Sequence, residues 1–223
     1  MRMRTLLAAV AATLLLAGSA WAGLLANHPL AYTDPDGATW HGSTPMANGN
    51  LSADIDWAVF APGVYIGAFP GTGYAPAADQ FVYAYQIFST GTAPVTQMTV
   101  NMIESNEANN ISDDPVALAG AAPLLGGFGA PPPNLQTANW FFAGLVGGQN
   151  SDGLVYASVN MPVWDYAAII FDDGLSAIGP VATPSDVIPE PATIGLLAFG
   201  LVIGAALRRR RRRPNGFPAD VFR

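Results

Sequence analysis

The feature that most constrains the fold is a set of short apolar/polar alternations broken up by glycine and proline. Leu51, Ala53, Ile55, Trp57 and Val59 alternate with Ser52, Asp54 and Asp56, the period-two pattern of a half-buried strand. Phe81 to Phe88 is aromatic and β-branched, with Ser89 to Thr92 as a turn, and Val95 to Ile103 resumes the alternation. Trp140 to Val146, Leu154 to Val159 and Ala167 to Phe171 predict further strands, and Gly148 to Gly153 predicts a hairpin connection. The 24 Gly and 19 Pro leave no room for an amphipathic helix of ordinary length. Short strands with frequent turns predict an all-β fold, a single β-sandwich-like ectodomain. Gly120 to Asn134, with Gly126-Gly127 and Pro131-Pro132-Pro133, predicts a long surface loop.

Both ends of the chain carry addresses. Arg2 and Arg4, the apolar stretch Leu6 to Ala17 and Ala20-Trp21-Ala22 have the layout of a signal peptide over 1–22, with Ala20 and Ala22 marking cleavage. The ectodomain is expected over 23–179 and a linker over 180–188. A sorting signal follows over 189–213: Pro189, Glu190 and Pro191, an apolar helix over 192–207, then Arg208, Arg209, Arg210, Arg211, Arg212 and Arg213. Residues 214–223 form a cytoplasmic tail. Sixteen apolar residues at about 1.5 Å rise span roughly 24 Å, short of a hydrocarbon core of about 30 Å, and snorkelling arginines cover the difference. The basic block stays cytoplasmic, so everything before Glu190 lies outside.

These C-terminal residues resemble the PEP-CTERM sorting signal of Gram-negative bacteria. Two inner stretches also resemble PEP-CTERM ectodomains: Tyr83, Tyr85-Gln86 with the turn Gly91-Thr92-Ala93-Pro94-Val95, and Asn139-Trp140 through Pro162. The resemblance implies an inner-membrane-anchored precursor that the membrane protease-transpeptidase exosortase cleaves near Pro189-Glu190-Pro191. It further implies delivery to the cell surface or release, in the exopolysaccharide layer of a biofilm-forming cell.

Charge narrows the partners. Between Gly23 and Ile188 there is no Lys or Arg, against fourteen Asp and Glu, a formal charge of −14 with both histidines neutral. Such a surface excludes nucleic acid, because nothing on it neutralises phosphate. Cysteine is absent, so the fold stands on packing without disulfides. Divalent cations are natural counter-ions, and Asp34, Asp36, Asp54 and Asp56 are the calcium candidates. The competing readings are a tight turn at Asp34-Pro35-Asp36-Gly37 and solvated charges on an exposed strand face at Asp54 and Asp56.

The leading expectation is a non-enzymatic structural protein of the matrix, with no obligate cofactor. One alternative is a carbohydrate-binding module using exposed aromatics such as Trp40 or Trp164, with Trp57 and Trp140 in the core. The second is a metal-dependent secreted hydrolase built on Asp residues with His28 or His41, the only imidazoles.

Overall fold

The computed structural model describes residues 23–102, 108–129, 136–172 and 174–185. They form ten strands and one helical turn. The strands are β1 (His41–Asn48), β2 (Leu51–Phe60), β3 (Phe81–Ser89), β4 (Val95–Asn101), β5 (Asn109–Asp114), β6 (Leu125–Gly129), β7 (Thr137–Leu145), β8 (Gly153–Ser158), β9 (Met161–Asp172) and β10 (Leu175–Ser185); α1 is Tyr65–Ala68. One sheet runs β1-β2-β3-β8-β5 and the other β10-β9-β4-β7-β6. Every pairing between neighbouring strands is antiparallel. The fold is the expected β-sandwich.

The alternation read from β2 places Leu51, Ala53, Ile55, Trp57 and Val59 between the sheets. Tyr83, Tyr85 and Ile87 of β3 join them, facing Met98 and Val100 of β4 and Trp140 of β7. Trp57 is 1 % exposed and Trp140 0 %, so both are core residues. The Tyr85 hydroxyl donates to the Ala182 carbonyl at 2.6 Å and accepts from the Tyr156 hydroxyl at 2.8 Å. That chain of donors ties the first sheet to the second and satisfies a phenol that burial would otherwise penalise. Outward-facing Gln86 is buried too and donates to the Ser151 carbonyl, while the Ser151 hydroxyl accepts the Ile87 N–H. The Tyr-x-Tyr-Gln pattern thus splits its work between the core and the connection entering β8.

A second apolar layer lies on the outer face of the first sheet. Ala58, Phe60, Val82, Ala84, Val155 and Ala157 are covered by Leu25 and Ala31 ahead of β1, by Tyr65, Phe69 and Tyr74 around α1, and by Leu118. At an order of ~25 cal/mol per Å² of apolar surface, this cover contributes several kcal/mol beyond the central core.

The sheets meet at their edges. Thr44 Oγ1 of β1 donates to the Pro180 carbonyl of β10 at 2.6 Å, and Asn48 Nδ2 donates to the Ser176 carbonyl at 2.8 Å. Gly179 makes this approach possible, since a Cβ there would stand 2.6 Å from Thr44 Cγ2. On the other side Trp140 Nε1 of β7 donates to the Ser112 carbonyl of β5 at 3.1 Å.

Three expectations are corrected. The segment 180–188 is strand rather than linker as far as Ser185, because Val181 to Ser185 are buried along β9. The loop expected over 120–134 contains β6, whose glycines Gly126, Gly127 and Gly129 lie along β7. Gly148 to Gly153 does not close a hairpin; β7 and β8 belong to different sheets, so this segment crosses between them.

Candidate functional site

The four calcium candidates do not converge. Asp34 closes a tight turn: Oδ1 accepts the N–H groups of Asp36 at 3.0 Å and Ala38 at 2.9 Å, and Oδ2 accepts Trp40 Nε1 at 3.3 Å. This is the Asx arrangement that an Asp-Pro-Asp-Gly sequence favours, with Gly37 at φ +89 completing it. Asp36 is exposed on the same turn. Asp54 and Asp56 lie on the outer face of β2, opposite Phe88 and Gln86 of β3. Among the described residues no group of three histidines or carboxylates is placed to hold a metal ion.

Asp56 departs from the reading as a solvated surface charge. The segment from Gly23 folds over it, and it is 3 % exposed. Burial raises its pKa, opposed by the approach of the Ser43 hydroxyl and the Gly23 backbone N–H, with the Asp54 charge raising it further. Its Oδ2 has no hydrogen-bond partner.

Two other acids have structural roles that sequence patterns did not reveal. Asp114, 2 % exposed, accepts the Tyr65 hydroxyl at 2.9 Å and the Thr72 hydroxyl on Oδ2, and the N–H groups of Val116 and Ala117, both at 3.1 Å, on Oδ1. One carboxylate therefore holds α1, the loop after it and the turn after β5. Asp152 Oδ1 accepts the Gly120 N–H at 2.5 Å. Its pKa is raised by burial and by Asp113 and Asp114, against that hydrogen bond. The sequence signal was only an Asp at the end of a strand before turn formers, which many surface turns share.

The histidines serve the N-terminal cover. His28 is buried, its Nδ1 accepts the Leu30 N–H at 3.2 Å, and its ring lies 5.0 Å from Phe60 and 5.2 Å from Phe69. Burial lowers its pKa, and the nearby His41 lowers it further. Accepting at Nδ1 leaves the ring neutral with its proton on Nε2. His41 Nδ1 donates to the Ala26 carbonyl at 2.5 Å. Among the described residues neither ring is brought to a cluster of carboxylates.

Tryptophans do converge. Trp164 of β9 is 59 % exposed, yet its ring stands 4.9 Å from Trp57, edge-on at 88°, and 5.7 Å from Trp40 at 36°. Trp57 is fixed by its own Nε1 donating to Thr44 Oγ1 at 3.2 Å, and Trp40 by Asp34. A large aromatic surface thus meets water on a rigid backing of two indoles.

The signal peptide, Pro189-Glu190-Pro191, the apolar run and the arginine cluster lie outside the described residues. Among the described residues no helix is long and apolar enough to cross a membrane. Compared with known families, residues 187–212 match the model of the PEP-CTERM protein-sorting motif. No curated protein and no solved structure matches the chain.

Proposed function

We propose that this chain, whose residues 187–212 match the PEP-CTERM protein-sorting motif, is made as a membrane-anchored precursor sorted by exosortase to the cell surface, and that the domain it delivers is a structural component of the extracellular polysaccharide matrix rather than an enzyme. The carrying observation is the union of that motif with a sandwich bearing fourteen acids and no Lys or Arg from Gly23 to Ile188. Such a surface repels its own copies and acidic polysaccharide until divalent cations intervene. Cations then bridge many solvated carboxylates loosely, which needs no three-ligand site. The reading assigns the chain no catalytic residue and no resident cofactor.

The test is light scattering and co-sedimentation of the mature protein with an acidic exopolysaccharide, with calcium and then with chelator. Assembly that appears with calcium and reverses with chelator is the expected result. Identical behaviour in both conditions contradicts the reading.

The Trp164 platform favours a second reading, neutral carbohydrate binding at the surface. A ring held against Trp57 and Trp40 loses little freedom when the C–H face of a sugar stacks on it. Here Trp164→Ala weakens retention on a polysaccharide column about tenfold or more, as for an interface hot spot, and leaves the fold intact. Unchanged retention removes this reading.

A further inference from the structure

Asp56 is a buried acid with one unsatisfied oxygen. It is 3 % exposed, its Oδ2 is unpartnered, and no Lys or Arg exists anywhere from Gly23 to Ile188. The two imidazoles are engaged elsewhere, with Leu30 and with Ala26. The nitrogen that does approach Asp56 is the backbone nitrogen of Gly23. Gly23 is also the residue that follows Ala20-Trp21-Ala22, the expected site of signal removal.

We propose that signal-peptide cleavage after Ala22 converts the Gly23 nitrogen into an α-ammonium group that pairs with Asp56, so that maturation of the N-terminus locks the sandwich. In the hydrolysis, water adds across the Ala22–Gly23 peptide bond. The carboxylate leaves with the signal peptide, and the freed amine takes up a proton to become the cation. Before cleavage the same nitrogen is a neutral peptide N–H with one hydrogen to donate; afterwards it carries three and a full charge. Charge-assisted hydrogen bonds are roughly twice as strong as neutral ones, and a buried carboxylate gains most from a partner it otherwise lacks.

Local structure holds the new terminus in place. The φ of +108 that Gly23 has in the uncleaved chain vanishes with cleavage after Ala22, so the new terminus is held by the residues that follow it. Two residues on, Leu25 is 0 % exposed in the outer apolar layer. Turn hydrogen bonds run from His28 N–H to the Leu25 carbonyl at 3.2 Å and from Ala31 N–H to the His28 carbonyl at 3.1 Å, and Tyr32 N–H reaches the Val59 carbonyl of β2 at 2.7 Å. The terminus is therefore tied to the strand that carries Asp56.

Lysine is absent from the entire chain, so the α-amine is the single primary amine of the mature protein and its acetylation reports on this contact alone. Intact mass first fixes the mature start; any residue other than Gly23 overturns the proposal. Acetylation with a hydroxysuccinimide ester is then followed on the mature protein, folded and in urea, at matched pH. Each unit of pKa rise removes about nine-tenths of the reactive free amine, so the folded chain is expected to react at least roughly tenfold more slowly. In parallel, a precursor with Gly-Ser inserted before Gly23 yields a mature chain whose amine begins two residues early. That extension is expected to lower the melting temperature by roughly 5–10 °C with Asp56 present and to have little effect in Asp56→Asn. Equal labelling rates for the folded and unfolded chains overturn the proposal, as does an extension that leaves the melting temperature of the Asp56 protein unchanged. If Asp56→Asn does not fold, those two comparisons on the Asp56 chain still decide.

Discussion

Raising the pH above 10 unfolds the ectodomain through its buried tyrosines. Burial pushes the hydroxyls of Tyr65, Tyr74 and Tyr85 well above the ordinary value of 10.0, and the Asp114 charge adds to the effect on Tyr65. The folded chain keeps these protons while the unfolded chain releases them, so stability is lost as pH rises above the unfolded value. From pH 10 to 11 the loss is about 1 kcal/mol for each tyrosine, or about 3 kcal/mol for the three, and the next unit removes about 4 kcal/mol more. A domain with a typical stability of roughly 5–15 kcal/mol has little left at that point. Circular dichroism and tyrosinate absorbance followed together test this. A single cooperative step, in which ionisation and unfolding coincide, is the expected outcome. Smooth ionisation of all seven tyrosines near 10 in a chain that stays folded contradicts the packing described for these rings.

Asp114→Ala is the substitution with the largest expected cost outside the central core. It strips the acceptor from the Tyr65 and Thr72 hydroxyls and from the N–H groups of Val116 and Ala117 at one buried point. Stranding such donors costs about 1–3 kcal/mol each before relaxation, so a loss of at least about 3 kcal/mol is expected in urea unfolding. Asp114→Asn keeps one carbonyl oxygen for the turn and is expected to recover part of that loss. A loss below about 1 kcal/mol for the alanine variant means that α1 and its loop do not depend on this carboxylate.

The strands legible in the sequence and those that were not fall into two physical groups. β2, β3, β4, β7, β8 and β9 each have a neighbour on both sides, and each carries aromatic or β-branched residues in a recognisable run. The strands without such a signal, β1, β5, β6 and β10, are the four sheet edges. An edge strand needs only one hydrogen-bonded ladder, so Pro45 in β1 and Pro180 and Pro184 in β10 are tolerated there and also discourage pairing with other chains. Polar Asn109 to Asp114 and glycine-rich Leu125 to Gly129 pack only lightly and therefore lack the alternation by which a strand is recognised.

The same contrast holds for the acids and aromatics. Composition made the one-sided charge plain, but not which carboxylates are buried. Asp56 is covered by a segment some thirty residues earlier, and Asp114 is satisfied by Tyr65 and Thr72, more than forty residues away in each case. Trp164 shows no local sign that it rests on Trp40 and Trp57, because that meeting is made by β9 lying across from β2 in the other sheet. Asp34 was more legible, since an Asp-Pro-Asp-Gly turn is made by its own neighbours.

The central claim is that this sandwich is cargo, carried to the surface by a sorting motif that is then removed. It is tested most directly by the intact mass of the tagged protein isolated from its own cells, beside Glu190→Ala. The account predicts that the wild type ends near Pro189-Glu190-Pro191, has lost Arg208 to Arg213 and has left the inner membrane, while the variant stays full length at its C-terminus and membrane-bound. Both proteins retaining the arginine cluster and fractionating together would contradict it.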